Sequence, residues 1–170
     1  MSAVRSCELP QQALLQHYRR QGAYADCFVA VLPRSVTQAQ YVEAFYGSTL
    51  FRLERLLLAL FVARPSTDLQ ARRLAAGELD AFAAWRVERR GPGQLLLADF
   101  TGRTRSWLMS TPSAPGEPPG TRLYFGSAVV PAPGRAGMGL PFRALLGFHK
   151  LYSRTLLRAA ASRLARACPP

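Results

Sequence analysis

Between residues 25 and 33 the chain reads ADCFVAVLP, with apolar side chains at both even and odd positions. That pattern predicts a strand covered on both faces and ended by Pro33. Before it, PQQALLQHYRR (10–20) reads as a short amphipathic helix, with Pro at its start and Gly22 just past its end. After it, Ser35 and Gln38 make a capping box, so a helix is expected from Val36 to Tyr46. Gly47 and Ser48 interrupt the pattern. A second helix is expected over 50–62, with Leu50, Leu53, Leu57, Leu60 and Phe61 on one stripe and Leu56, Leu58 and Val62 widening it nearly all round. A further short helix begins at Ser66 or Thr67 and stops near Gly77.

From residue 80 the period changes. DAFAAWRVERR (80–90), QLLLADF (94–100), RTRSWLMST (103–111) and TRLYFGSAVV (121–130) read as four strands. GPG at 91–93 and TG at 101–102 are hairpin punctuation, which argues for antiparallel pairing. PSAPGEPPG (112–120) carries too many breakers for helix or strand. The last element, FRALLGFHKLYSRTLLRAA (142–160), is an amphipathic helix. Leu145, Phe148, Tyr152, Leu156 and Ala159 share one face, and Arg143, Lys150, Arg154 and Arg158 lie opposite. Five strands and several helices in one chain of 170 residues predict a single α+β domain.

Composition changes this picture little. Hydrophobic content of 49% is globular. No apolar run approaches the roughly 20 residues of a membrane span, and MSAVRSCELPQQ lacks the apolar core of a secretory signal. Cys7, Cys27 and Cys168 are too few and too scattered for a disulfide framework, so a reduced, cytoplasmic setting is expected.

Net charge changes it more. The chain carries +12, and residues 118–170 hold eight cations and no acid. Such a region can attract anionic lipid or nucleic acid. Lys150 is the sole lysine, however, and with so much Ala, Gly and Pro the surplus looks like a compositional bias toward arginine.

Familiar catalytic signatures are missing. There is no HExxH, CxxC, GxSxG or GxxxxGK, and GRAGMG (134–139) lacks the strand–loop–helix setting of a dinucleotide site. No cofactor and no metal are expected. Strand alternation offers one constellation. Leu95, Leu97 and Asp99 share a face, as do Arg103, Arg105, Trp107 and Met109. A carboxylate, a guanidinium and an indole would then meet across a hairpin and anchor an apolar pocket. The plainer reading is a surface ion pair between Asp99 and Arg103 or Arg105, worth under about 1 kcal/mol, with Trp85, Trp107, Tyr124 and Phe125 as core aromatics. His149, at the edge of the apolar stripe, either hydrogen-bonds a loop carbonyl or serves as an acid/base in a cavity.

The element order resembles the START-like helix-grip superfamily of polyketide-cyclase-like and lipid-transfer proteins, and more narrowly a bacterial branch of it. The resemblance spans residues 24–160. It rests on the helix-pair region 36–62, GQLLLADFTGRTRSWLMS (93–110), GTRLYFGSAVVP (120–131) and LPFRALLGFHKLYSRTLLRAA, with Phe148-His149 as an aromatic–His pair in the final helix. It implies a curved antiparallel sheet of about five to seven strands wrapped around a long C-terminal helix, two helices after the first strand, and a ligand cavity between sheet and helix. Residues 1–23 would be an N-terminal extension and 24–167 the domain. Five strands is fewer than the superfamily usually has.

Three functions follow as expectations. The first is binding of a small apolar or amphipathic molecule in that cavity, with Trp85, Asp99, Arg105, Trp107, Phe125, Phe148, His149 and Tyr152 as candidate lining. The second is a cyclase/aromatase- or hydrolase-like enzyme, which requires Asp99, Arg105 or His149 to converge there. The third is binding of anionic lipid or nucleic acid through Arg143, Lys150, Arg154 and Arg158. A homodimer contact through helix 50–62 is a further expectation.

Overall fold

The computed structural model of the chain describes residues 3–53, 66–130 and 140–167, with side chains in the last stretch from residue 150 onward. Seven antiparallel strands form one sheet: β1 (Arg5–Ser6), β2 (Tyr24–Leu32), β3 (Ala81–Phe82), β4 (Trp85–Gly91), β5 (Gln94–Asp99), β6 (Thr104–Pro112) and β7 (Thr121–Val129), in the order β1-β2-β7-β6-β5-β4-β3. The helices are α1 (Gln16–Arg20), α2 (Gln38–Tyr46), α3 (Asp68–Ala76) and α4 (Leu140–Arg166). The general α+β expectation holds, with a sheet two strands larger than the five counted from the pattern.

Both extra strands are short. β1 pairs with β2 through Arg5↔Val29 and Ser6↔Phe28. The expected strand 80–90 is instead a tight hairpin, since Phe82 pairs with Trp85 across Ala83 and Ala84. Ala83 has φ 52°, a left-handed backbone more typical of Gly or Asn than of Ala, so its sequence does not signal the bend. The Pro92-Gly93 connection behaves as expected: Gly91 pairs with Gln94, and Gly93 takes φ 62°.

The helix starts also move. The capping box of α2 is Thr37 with Gln40, not Ser35 with Gln38. The reason is tertiary. Thr121 Oγ1 accepts from Val36 N–H (2.9 Å) and donates to the Arg34 carbonyl (2.8 Å), which holds residues 34–36 extended beside β7. Thr67 and Gln70 cap α3 in the same way, and Gly77 ends it at φ 84°. Gly47 closes α2, and residues 49–53 are helical, with Ser48 Oγ accepting from Phe51 N–H. The rest of the expected helix 50–62 lies outside the described residues. α1 begins at Gln16 rather than Pro10.

Alternation along the strands divides the core in two. One sheet face carries Phe28, Ala30, Leu32, Leu95, Leu97, Leu108, Leu123 and Phe125, packed under α2 and α4. α4 lays Ser153, Leu156, Leu157, Ala160, Ala161 and Leu164 on it. This stripe is rotated from the expected one, leaving Tyr152 and Ala159 at its margin. The other face carries Cys27, Val29, Leu96, Trp107, Met109 and Tyr124, and is covered by Leu9, Ala13, Leu15 and Tyr18. Residues 9–18 therefore close the second side of the sheet. Trp107 packs so close to Gly126 that a Cβ there would sit 3.0 Å from its ring and 2.8 Å from the Asp26 carbonyl.

Tyr41 links this core to pH. It is fully buried, its hydroxyl donates to the Tyr124 carbonyl (3.0 Å), and burial holds its phenol well above the ordinary tyrosine value. The folded chain thus keeps this proton more tightly than the unfolded chain does. The associated stability is fully present below about pH 10, the ordinary tyrosine value, and is lost as pH rises toward the folded-state value. Urea midpoints measured across alkaline pH should stay level and then fall above that point, and Tyr41→Phe should flatten part of the fall.

Candidate functional site

Between the inner sheet face and α4 lies a cavity of about 270 Å³. Among the described residues its apolar wall is Phe45, Phe51, Trp85, Phe125, Tyr152 and Leu156, with Ala84 and Phe100 beside them. Phe45 is the hub of that wall, with ring centroids 4.8 Å from Phe125 and 6.2 Å from Phe51. The helices meet the sheet here through aromatic side chains, whose rigid shapes leave space where smaller residues sit between them.

Those smaller residues are polar. Ser106 and Ser127 face each other across β6 and β7, and Ser153 comes from α4. Ser127 Oγ donates to Asp26 Oδ1 (2.7 Å), and Asp26 Oδ1 also accepts from Ser127 N–H (3.1 Å). Ser106 Oγ lies 3.3 Å from the Tyr46 hydroxyl. Ser153 is different. It is fully buried, and its Oγ has no hydrogen-bond partner among the described residues. Trp85 Nε1, on the opposite wall, is also buried and unpartnered. Each such group costs about 1–3 kcal/mol unless something pairs with it.

The expected constellation of Asp99, Arg105 and Trp107 does not form. Asp99 is on the inner face, opposite Trp85. Its carboxylate is spent on its own turn: Oδ1 accepts from Arg103 N–H (2.8 Å) and Thr104 N–H (3.0 Å), and Oδ2 accepts from the Thr101 hydroxyl. Arg105 pairs with Ala98, so its side chain falls on the outer face. There its Nε meets Glu88 Oε2 at 2.6 Å, its guanidinium lies 4.6 Å over the Tyr18 ring, and the Tyr18 hydroxyl donates to Glu88 Oε1. Trp107 is wholly buried on that outer face, its Nε1 donating to Gln94 Oε1 (2.9 Å). The surface-pair reading fails as well: Arg105 pairs with Glu88, and Asp99 accepts from the backbone N–H of Arg103, with no ion pair between Asp99 and either arginine among the described residues. The two side chains keep 12% and 30% of their exposure, which makes this a half-buried pair.

Of the candidate lining residues, Trp85, Asp99, Arg105, Phe125 and Tyr152 border the cavity, Asp99 and Arg105 with their charged groups already engaged, and Trp107 does not. The side chains of Phe148, His149 and Arg143 lie outside the described ones. Lys150, Arg154 and Arg158 are exposed along α4, and Arg154 Nη2 also reaches the Val4 carbonyl at 3.4 Å. Phe45, Phe51, Ser106, Ser127 and Ser153 were missed as lining. Ser153 had a faint signal, a small polar residue between Tyr152 and Leu156. Ser106 and Ser127 had none without the register. Among the described residues no group of three His, Cys, Asp or Glu side chains is placed to hold a metal ion. No helix there is long and apolar enough to cross a membrane.

These features define an α+β protein with one antiparallel sheet, a long C-terminal helix and a small, mainly apolar cavity between them. Compared with protein-family models, with curated proteins and with solved structures, the chain gives no match.

Proposed function

We propose that the chain is a START-like helix-grip protein of the cytoplasm that binds a small apolar or amphipathic molecule between its sheet and its C-terminal helix. The observation that carries this reading is the pairing of aromatic walls with two buried polar atoms, Trp85 Nε1 and Ser153 Oγ, that have no partner among the described residues. An apolar pocket with a few fixed polar groups is the usual anatomy of a small-molecule site. The cavity lies near the lower end of such sites, at about 300 Å³, so the fitting ligand is compact: a ring or short chain bearing one hydrogen-bond acceptor for the indole N–H.

The enzyme reading is weaker. Asp99 and Arg105 both border the cavity, but the Asp99 carboxylate is engaged by the N–H groups of its own turn and the Arg105 guanidinium by Glu88. Binding of anionic lipid or nucleic acid keeps one supporting feature, the exposed row Lys150, Arg154 and Arg158. Native mass spectrometry of freshly purified protein at low and high salt, followed by denaturing extraction, separates these readings and reports any homodimer. A compact molecule retained at high salt is expected. Adducts of nucleic acid or anionic lipid alone, stripped by salt, would overturn the cavity reading, because screening weakens surface charge contacts far more than buried ones.

A further inference from the structure

Two of the three cysteines, twenty residues apart in sequence, are brought together at the edge of the sheet. Extending the β1–β2 register by one residue places Cys7 opposite Cys27, and Cys7 N–H donates to the Cys27 carbonyl at 3.0 Å. Facing residues of a hydrogen-bonded antiparallel pair have Cα atoms about 5.5 Å apart, within the range that a disulfide spans. Here the two Sγ atoms are 3.3 Å apart, and both thiols are free. The pair is asymmetric. Cys27 is buried in the outer-face core, whereas Cys7 is part-exposed. A cleft of about 430 Å³ borders both, with Arg19, Lys150 and Arg154 on its rim, so a small reagent can reach the pair from one side.

We propose that Cys7 and Cys27 are a thiol–disulfide exchange pair, in which Cys7 is the entry sulfur and Cys27 the resolving one, oxidised by a low-molecular-weight disulfide. The Cys7 thiolate attacks one sulfur of the reagent, forming a mixed disulfide and releasing the first thiolate. Cys27 then gives up its proton and attacks the Cys7 sulfur, expelling the second thiolate. One external disulfide is reduced to two thiols while the two protein thiols become one intrachain disulfide. The electrostatics agree with this division of labour. The hydrogen bond from Cys27, helped by Arg5, holds the Cys7 thiol below its ordinary value, while the Cys27 thiol is pushed up by that same bond and by burial. This inference is independent of the cavity.

The test uses the full chain in glutathione redox buffers of increasing oxidised fraction, quenched by alkylation and mapped by peptide mass spectrometry. The expected product is a Cys7–Cys27 cross-linked peptide pair, lighter by two hydrogens than the reduced pair and restored by dithiothreitol. Repeating it with Cys168→Ser should change nothing at this pair. With Cys27→Ser the glutathione adduct should collect on Cys7, and with Cys7→Ser adduct formation on Cys27 should slow at least about tenfold, as thiolate exposure controls the rate. Full alkylation of both cysteines in the wild-type chain at every buffer ratio would overturn the pair, without recourse to any variant. Equal adduct rates on Cys7 and Cys27 in the two single variants would overturn the assignment of the entry sulfur.

Discussion

Replacing Ser153 by leucine should make the protein more stable and, at the same time, a poorer binder. Ser153 is fully buried on the cavity wall, with a hydroxyl that has no partner among the described residues. Removing that hydroxyl relieves a cost of about 1–3 kcal/mol. The leucine side chain then enters existing space in a cavity lined by Phe45 and Phe125, adding about 1 kcal/mol where it packs without strain. A net gain of roughly 2–4 kcal/mol in urea unfolding is expected. The same volume is taken from the ligand, so affinity for a neutral apolar probe such as N-phenylnaphthylamine should fall at least about tenfold, equivalent to about 1.4 kcal/mol. Stability gained with probe affinity unchanged would place binding elsewhere. Ser153→Ala is the companion variant: it removes the hydroxyl without filling the space, and should keep most of the probe binding.

The second large effect should come from Gln94, which no sequence argument singled out. Its side chain is the fastening between the sheet and the N-terminal segment. Gln94 Oε1 accepts from Leu14 N–H (3.0 Å) and from Trp107 Nε1 (2.9 Å), and Gln94 Nε2 donates to the Gln12 carbonyl (3.1 Å). Gln94→Leu keeps the volume but strips partners from three groups in a largely buried setting. At about 1–3 kcal/mol for each unsatisfied group, with partial relief by water, a loss of roughly 3–5 kcal/mol is expected, near the upper end for single substitutions. Chemical unfolding and hydrogen exchange at Leu14 would measure it. A loss below about 1 kcal/mol would mean that residues 9–18 are held by apolar contact alone.

Gln94 also shows where reading the chain runs out. QLLLADF is correctly a strand, because local periodicity reports backbone state. Which alternating set faces the helices is a different question. Leu95 and Leu97 lie inside, Leu96 outside, and each face is apolar because each is covered. A strand covered on both sides carries no polar face to mark the solvent, so Asp99 and Arg105 could be drawn together on paper although the register separates them. The same ambiguity hid the role of residues 9–18: the motif PQQALLQHYRR looks like a surface helix until Trp107 and Met109 are found to need a cover. At the start of α2 two overlapping capping boxes, Ser35 with Gln38 and Thr37 with Gln40, fit the local rule equally well. Thr121, 84 residues after Thr37, decides between them.

What the chain determined by itself is therefore local: strand against helix, the hairpin at Pro92-Gly93, the breaker loop before β7, the amphipathic C-terminal helix and its exposed cations. Backbone preferences and short-range periodicity act within a few residues and can be read there. The tertiary structure alone decided the two short strands, the sheet faces, the side of Arg105, the meeting of Cys7 with Cys27, and the serines around the cavity. Each of these depends on contacts between residues far apart in the chain, and the energy of such contacts is not written at either partner's position.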